Sequence, residues 1–379
     1  MENKIKRIVL LCTALNGIGG TSRHMAQIYR SLDRTRFYPY LVFSSFETDI
    51  MRDSLIKEGS DFKDIRIVPS FSKDPLGTIR ELKKIWKEID PEIIHSFFLH
   101  SDILSYITTF SNESLSRISS VEGKFIWDHV TGVGWLKSVC YRLINLFIRR
   151  HFLKTITVSN DLKNEVISAG GVDPQSVCTV PLGVLAIDQE KLIKRTSSQE
   201  KSEIIVASVS RLTFDKGVDL LIQAAVFCAK EKLPVKFIIG SEGREKENLK
   251  QLTKSLGIEE HIVFKGWIDN ITNFLNEIDV FVMPSRREGC PLALIDAMMH
   301  QKACVVFDAP GVNEIVKNDE TGIVVPCFDV LALSQAIKRL VSDVTLREKL
   351  AEQARRYVFK NFSIEREIRE LEGIYCKNG

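Results

Sequence analysis

The stretch "FVMPSRREGCPLALIDAMMHQKACVVFDAPGVNEIVKNDETGIVVP", Phe281 to Pro326, holds an apolar strand, a charged loop, a Gly-Cys-Pro turn, an amphipathic helix and a second strand. Short apolar runs alternating with helical patterns mark a parallel sheet with helices on both faces. The helix begins near Pro291, a residue suited to the first helical position because its missing N–H would have no partner there. Leu292, Ile295 and Met299 form its buried stripe. Arg286, Arg287 and Glu288 nevertheless crowd the mouth of this core helix, and charge there calls for a reason.

Outward from this stretch the same alternation fills the chain. In the second half "EIIVASVS", "VKFIIG", "HIVFKG", "VFVMPS", "ACVVFD" and "GIVVP" read as strands. In the first half the strands are "RIVLLCTAL", "YPYLVFSS", "FKDIRIVP", "PEIIHSFF", "LSRISSV" and "KTITVS", with a helix over Leu76 to Ile89. A polar stretch after "VCTVPLGV" separates the halves. The expected organisation is an N-terminal Rossmann-like domain over 1–183 and a linker over 184–201. A C-terminal Rossmann-like domain over 202–360 follows, and a last helix over 361–379 crosses back to the first domain. The fold class is α/β, two Rossmann-like parallel-sheet domains facing across a cleft, where ligands prefer to sit.

Bulk properties agree. A chain of 379 residues is too long for one ordinary core. A formal net charge of +3 gives no reason to expect nucleic acid. The eight cysteines are scattered, without a C-x-x-C pair or zinc spacing, as in a reducing compartment. The basic-apolar start, "MENKIKRIVLLCTALNGIGG", mimics a signal peptide but runs into a glycine loop, so it reads as a buried first strand. No stretch approaches the ~20 apolar residues of a membrane-spanning helix. The expected location is cytoplasmic, at the inner face of the plasma membrane if the chain docks there.

Three loops at strand ends carry chemistry. "NGIGGTSRH", Asn16 to His24, joins a strand to a helix through glycines that let backbone approach a phosphate. As a dinucleotide fingerprint it is incomplete, because Ser22 stands where the third glycine belongs; a tight turn without a ligand is the alternative. In "VSRLTFDKGVDLL", Arg211 and Lys216 flank a strand-loop-helix junction and suit a diphosphate clamp, against the alternative of a solvated surface pair. Gly240 and Gly243 in "GSEG" offer a further close backbone approach. In the opening stretch Glu288 precedes Gly289-Cys290-Pro291, and Asp296 follows eight residues later in the helix's second turn. Ionised carboxylates accept hydrogen bonds from vicinal hydroxyls. The plainer readings are a helix-start acid for Glu288 and an exposed helix residue for Asp296. Arg286 and Arg287 read as solvated loop cations.

Together "SRLTFDKGVDLLIQA", "GSEG", "VFKGW" and "DVFVMPSRREGCPLALIDAM", in that order and spacing, resemble the retaining glycosyltransferases of family 4 with the GT-B fold. "NGIGGTSRHMAQI" resembles that family's N-terminal glycine loop, and "VSNDLKNEVISAGGVDPQSVCTVPLGV" its segment leading into the linker. The resemblance implies that Arg211 and Lys216 hold the nucleotide diphosphate and stabilise it as the leaving group. Glu288, with backbone amides near Gly289, Cys290, Pro291 and Leu292, would contact the donor sugar. Asp296 falls on the second acid of the E-x7-E motif and would bind the ribose, with Gly240 nearby. Gly19 and Gly20 match the loop facing the diphosphate from the opposite domain. Two departures stand out. Asp296 is one methylene shorter than the usual Glu, and the histidine that many relatives carry after the fourth or fifth strand has no clear match in "SSVEGKFIWDHVTGVGW", leaving Glu122, His129 and Thr131 as alternatives.

The implied reaction is metal-independent, retaining transfer of a sugar from a nucleoside-diphosphate sugar to a glycan or lipid-linked acceptor, as in cell-surface polysaccharide biosynthesis. No cofactor is expected. No D-x-D motif stands at a strand end, and the two cations can take a metal's place. Rival readings are a nicotinamide oxidoreductase, a GT-B sugar-nucleotide epimerase, and a non-catalytic subunit of a glycan-assembly complex.

Between His129 and Asn160 there is no Asp or Glu, while Lys137, Arg142, Arg149, Arg150 and Lys154 add positive charge. A helical wheel gathers Leu136, Val139, Cys140, Leu143 and Phe147 on one face, with Tyr141, Arg142, Asn145 and Arg149 opposite. The plain reading is a core-facing helix with a basic outer surface. The other is docking of 135–154 on an anionic membrane.

Overall fold

The structure, a computed structural model, describes residues 5–13, 20–44, 64–123, 143–144, 146–170, 172–187 and 203–376. The chain divides into two compact units, residues 1–183 with 364–379, and residues 184–363.

In the first unit seven parallel strands lie in the order β3-β2-β1-β4-β5-β6-β7. These are β1 (Lys6–Cys12), β2 (Phe37–Ser44), β3 (Ile65–Val68), β4 (Ile93–Phe97), β5 (Ser116–Val121), β6 (Lys154–Thr157) and β7 (Val177–Thr179). Their helices are α1 (Gly20–Ser31), α2 (Pro75–Ile89), α3 (Phe98–Thr109) and α4 (Asn160–Ser168). Because strand side chains alternate, β1 feeds two cores. Ile8, Leu10 and Cys12 pack with Met25, Ile28 and Tyr29 of α1. Val9 and Leu11 face the other way, with Leu82, Ile85 and Trp86 of α2. A strand covered on both faces has no polar side to show, so β1 reads as a continuous apolar run.

The second unit has six parallel strands in the order β10-β9-β8-β11-β12-β13. They are β8 (Ile204–Val209), β9 (Val235–Gly240), β10 (Ile262–Gly266), β11 (Val280–Met283), β12 (Ala303–Phe307) and β13 (Ile323–Val325). The helices are α5 (Val218–Lys230), α6 (Lys246–Ser255), α7 (Ile271–Glu277), α8 (Leu292–Met299), α9 (Val330–Ser342) and α10 (Val344–Asn361). Every residue of β11 and β12 is buried. Phe281 and Phe307 are among the largest fully buried side chains, each worth about 1.5–3 kcal/mol of burial.

The last helix, α11 (Ile364–Cys376), belongs to the first unit. Its Ile364, Ile368, Leu371 and Tyr375 complete the core on the α1 side of the sheet. Val184 bridges Ser363, so the two chain crossings between units lie side by side. Most of the expected linker, 188–201, lies outside the described residues.

In each sheet the strand order reverses once, at β1/β4 and at β8/β11. Such switch points leave a crevice at the C-terminal strand ends, because the loops on either side turn away from each other.

Candidate functional site

The β8/β11 switch point of the second unit is flanked by the loops that carry most of the candidates. Arg211 lies exposed at the end of β8. Lys216 follows in a 3-10 turn, Phe214–Lys216. Glu288 lies in the loop after β11, and its Oε2 accepts from Lys216 Nζ at 2.8 Å while its Oε1 accepts from Ser285 Oγ at 2.7 Å. Asp215, 3.6 Å from Lys216 Nζ, is the second acid on that ammonium. Burial pushes the Asp215 carboxyl up, but Lys216, Thr213 and Arg211 outweigh it and hold the group below its ordinary value. Glu288 is therefore no simple helix-start acid, since its carboxylate is engaged by a lysine and a serine ahead of the helix.

Arg286 departs from its sequence reading. Its side chain is only 13% exposed, and it forms a two-pronged pair with Asp219, Nη1 to Oδ1 at 2.9 Å and Nη2 to Oδ2 at 2.7 Å. Nη1 also donates to the Phe214 carbonyl at 2.5 Å, and the guanidinium lies 4.0 Å from the centre of the Phe214 ring. Its main-chain N–H donates to the Asp215 carbonyl at 2.9 Å. Arginine buries readily in this way because its planar fork matches a carboxylate and its face stacks on a ring. Gly217 makes the close contact possible. Its φ is +65°, and a Cβ there would lie 1.9 Å from the Pro284 carbonyl oxygen.

Helix α8 starts at Leu292, one residue after Pro291. Gly289, Cys290, Pro291 and Leu292 are all buried at its N-terminal mouth. Asp296, in the second turn, is buried rather than exposed. Gly240 ends β9, where a Cβ would lie 2.9 Å from Ile268 Cγ1. Of the candidates, Lys216 and Glu288 are joined directly.

In the first unit Gly20 opens α1 and is exposed; Gly19, His129 and Thr131 lie outside the described residues. Glu122, just past β5, is committed to its neighbours. Its Oε2 accepts from Thr21 Oγ1 at 2.5 Å, and its Oε1 lies 2.5 Å from His24 Nδ1. The other His24 nitrogen contacts Glu367 of α11, whose Oε2 accepts from the Gly183 N–H at 2.6 Å. A histidine does follow the fourth strand, outside the stretch where one was expected. His100 stands in the first turn of α3, beside the β1/β4 switch point, and burial lowers its pKa, which favours the neutral ring. "FFLHSD" directly after the β4 run was the available signal. The backbone is strained there, with Phe98 at φ +67°, a conformation bulky residues rarely adopt.

The basic segment also departs from its plain reading. Leu143 and Phe147 are 61% and 56% exposed, whereas Arg149, on the face read as outward, is buried. Arg149 Nη2 lies 3.2 Å from Asp102 Oδ2, and its Nη1 donates to Ser119 Oγ at 3.0 Å. The wheel assumed that the apolar face would find the core; a buried carboxylate on α3 claimed the arginine instead. The Phe147 ring meets Tyr106, and Tyr106 stacks on His151. Ile107 and Phe110, at and just past the end of α3, are exposed as well.

Comparison with known proteins agrees with this architecture. Residues 18–185 match the family model "Glycosyltransferase Family 4", and residues 188–357 match "Glycosyl transferases group 1". The alpha-D-kanosaminyltransferase of Streptomyces kanamyceticus is 29% identical over 46% of this chain, and the match spans 46% of its own length. An Escherichia coli UDP-Gal:alpha-D-GlcNAc-diphosphoundecaprenol alpha-1,3-galactosyltransferase is 25% identical over 81% of this chain and 80% of its own. Among solved structures, Anabaena HepE in complex with UDP and glucose superposes with a TM-score of 0.81 at 16% identity, over 98% of this chain and 100% of that one. At that identity the superposition speaks for the fold alone. The two family models meet near the unit boundary and between them cover nearly the whole chain, which belongs to the family 4 glycosyltransferases of GT-B fold.

Proposed function

We propose that the β8/β11 crevice binds a nucleoside-diphosphate sugar and that the enzyme transfers the sugar, with retention and without a metal ion, to a glycan or lipid-linked acceptor in surface-polysaccharide assembly. The observation that carries this reading is the Lys216–Glu288 pair, 2.8 Å apart on the two loops that flank the switch point. Arg211 and Lys216 would hold the diphosphate, with amides at the mouth of α8. Glu288 would accept hydrogen bonds from the donor sugar, and Asp296 from the ribose. Fixed positive groups stabilise the charge that grows on the departing diphosphate, and one such donor is worth roughly 3–4 kcal/mol.

Glu288 is poorly placed as a general base, because Lys216 and Ser285 already engage its two oxygens. The proton's natural destination is then the leaving group. The anomeric C–O bond to the diphosphate breaks, the acceptor oxygen bonds to that carbon on the same face, and its proton passes to the departing phosphate oxygen. This is the physical argument for retention. UDP and glucose in the HepE crystal support the donor class. The diphosphoundecaprenol-linked substrate named for the E. coli relative supports a lipid-linked acceptor.

Thermal unfolding against UDP, GDP, ADP, CMP and NAD⁺, each with excess EDTA, tests the donor site. A ligand at a hundred times its Kd adds about 2.7 kcal/mol. One nucleoside diphosphate is expected to stabilise the chain, and Arg211→Ala and Lys216→Ala each to reduce the effect while leaving measurable binding. A response to NAD⁺ alone would overturn the reading. Retention is checked by the anomeric configuration of the product in NMR, and metal independence by turnover in EDTA.

A lipid-linked acceptor implies work at a membrane surface, which we place at the cytoplasmic face of the plasma membrane. Among the described residues no helix is long and apolar enough to span a bilayer. Exposed Leu143, Ile144, Phe147 and Leu153 lie on an acid-free, basic segment, with Arg150 exposed among them. Apolar insertion with cations at the headgroups is how interfacial segments bind anionic bilayers. The chain is expected to sediment with phosphatidylglycerol vesicles and not with phosphatidylcholine vesicles, and Phe147→Glu to remain in the supernatant. Equal sedimentation with both would argue against it.

A further inference from the structure

Apart from the Phe328 ring, whose centre lies 5.9 Å from the guanidinium, the contacts of Arg286 fall on Phe214–Asp219, the segment that carries Lys216. The 3-10 turn in that segment is lightly held. Its own bonds are the Lys216 N–H to the Thr213 carbonyl at 3.0 Å and a long one, Gly217 N–H to Phe214 carbonyl, at 3.3 Å; only from Gly217 onward does α5 hold the backbone, with the Leu220 N–H on the Gly217 carbonyl at 2.9 Å. Phe214 at its tip is exposed, and a single 3-10 turn is a weak element by itself. Arg286 supplies what is missing. It takes both oxygens of Asp219 at the start of α5, caps the Phe214 carbonyl, and covers the Phe214 ring, while its own backbone holds Asp215. Glu288 is only two residues further on. The same short loop therefore grips the lysine's segment and presents the lysine's partner.

We propose that Arg286 is a positioning residue for the donor site, setting where Lys216 stands relative to Glu288; this rests on the donor-site reading above. On this reading Arg286 acts on the diphosphate through Lys216. Arg286→Lys keeps the charge but can neither fork onto Asp219 nor cover the ring.

The test is a double-mutant cycle read by titration calorimetry, with UDP or whichever nucleoside diphosphate stabilises the wild-type chain. Arg286→Lys is expected to weaken binding about tenfold in the wild-type background and less than twofold beside Lys216→Ala, since the lysine through which it acts is gone. Asp219→Asn, which weakens the same fork, should behave alike. Equal losses in both backgrounds would overturn the proposal, because general loosening of the loop would not depend on Lys216. If the wild-type chain binds no nucleotide of the panel, the donor-site reading fails. Amide hydrogen exchange then decides the clamp alone. Faster exchange at Lys216 and Gly217 in Arg286→Lys upholds the positioning of the lysine, and unchanged exchange overturns it.

Discussion

His24 is held between two carboxylates, Glu122 on Nδ1 and Glu367 on Nε2, and all three side chains are almost fully buried. Burial alone would strip the proton from the ring. The charges of Glu367 and Glu122, with their hydrogen bonds, outweigh it and raise the pKa to about 10. His95 nearby shows the other outcome: its ring nitrogens meet the Tyr375 and Ser120 hydroxyls instead of carboxylates, and burial and the charge on His24 lower it to about 3. A group whose folded pKa lies above its unfolded value contributes stability that is complete below about pH 6.5. That contribution is lost as pH rises through about 10. Between those limits the folded state holds one more proton, so stability falls by about 1.4 kcal/mol per pH unit. Urea unfolding from pH 6.5 to 9.5 should show this slope in the wild type and a shallower one in His24→Gln; parallel slopes would exclude His24 as the origin. None of this was legible in the sequence, where His24 and Glu367 stand 343 positions apart. The same holds for Arg149. Asp102, whose carboxyl burial raises to about 6 against the pull of Arg149, Ser96 and Ser119, is 47 positions away. A helical wheel sees neighbours at three and four residues and cannot see a distant buried acid waiting for a partner.

Elements were far easier to read than these pairings. Strands such as β11 and β12 are covered on both faces, so burial writes them as unbroken apolar runs that need no knowledge of distant partners. Helix starts announce themselves as well: Asp74, Asn270, Asp329 and Asp343 each accept an N–H from the first turn that follows. The strand-end loops of the candidate site were legible for the same reason, since a charge between an apolar strand and an apolar helix has no place in the core. What remained hidden was how those loops touch, because Gly217 and Arg286 act across 69 positions. At this scale α11 carries the sharpest consequence. Its Leu371 and Tyr375 fill a core that β1 and α1 cannot close by themselves. Leu371→Ala leaves a cavity at a site packed from several sides, at a cost of about 2–5 kcal/mol. Hydrogen exchange should quicken over Ile8–Cys12 and stay unchanged over Val280–Met283. Equal acceleration in both strands would mean that α11 does not serve the first unit in particular.

For the whole molecule the division of the chain is asymmetric. The second unit is one continuous segment, Val184–Ser363, whereas the first is assembled from the two ends, 1–183 and 364–379. The ends of the continuous unit meet, since the Val184 N–H donates to the Phe362 carbonyl at 2.9 Å and Arg355 donates to the Ile187 carbonyl at 2.8 Å. A unit with adjacent termini and its own buried sheet meets the physical conditions for independent folding. The fragment 184–363 should therefore unfold cooperatively when expressed alone. The fragment 1–183 lacks Ile364, Ile368, Leu371 and Tyr375, and it also leaves His24 with one carboxylate instead of two. It should fail to fold unless residues 364–379 are supplied, and a separate peptide of that sequence should restore it. The nucleotide panel applied to 184–363 then adds a functional reading. Lys216, Glu288, Arg211, Arg286 and Asp296 all lie within this segment, so nucleoside-diphosphate binding is expected to survive the cut while sugar transfer is lost. A well-folded fragment that no longer binds the nucleotide chosen by the full chain would show that residues of the first unit complete the diphosphate site.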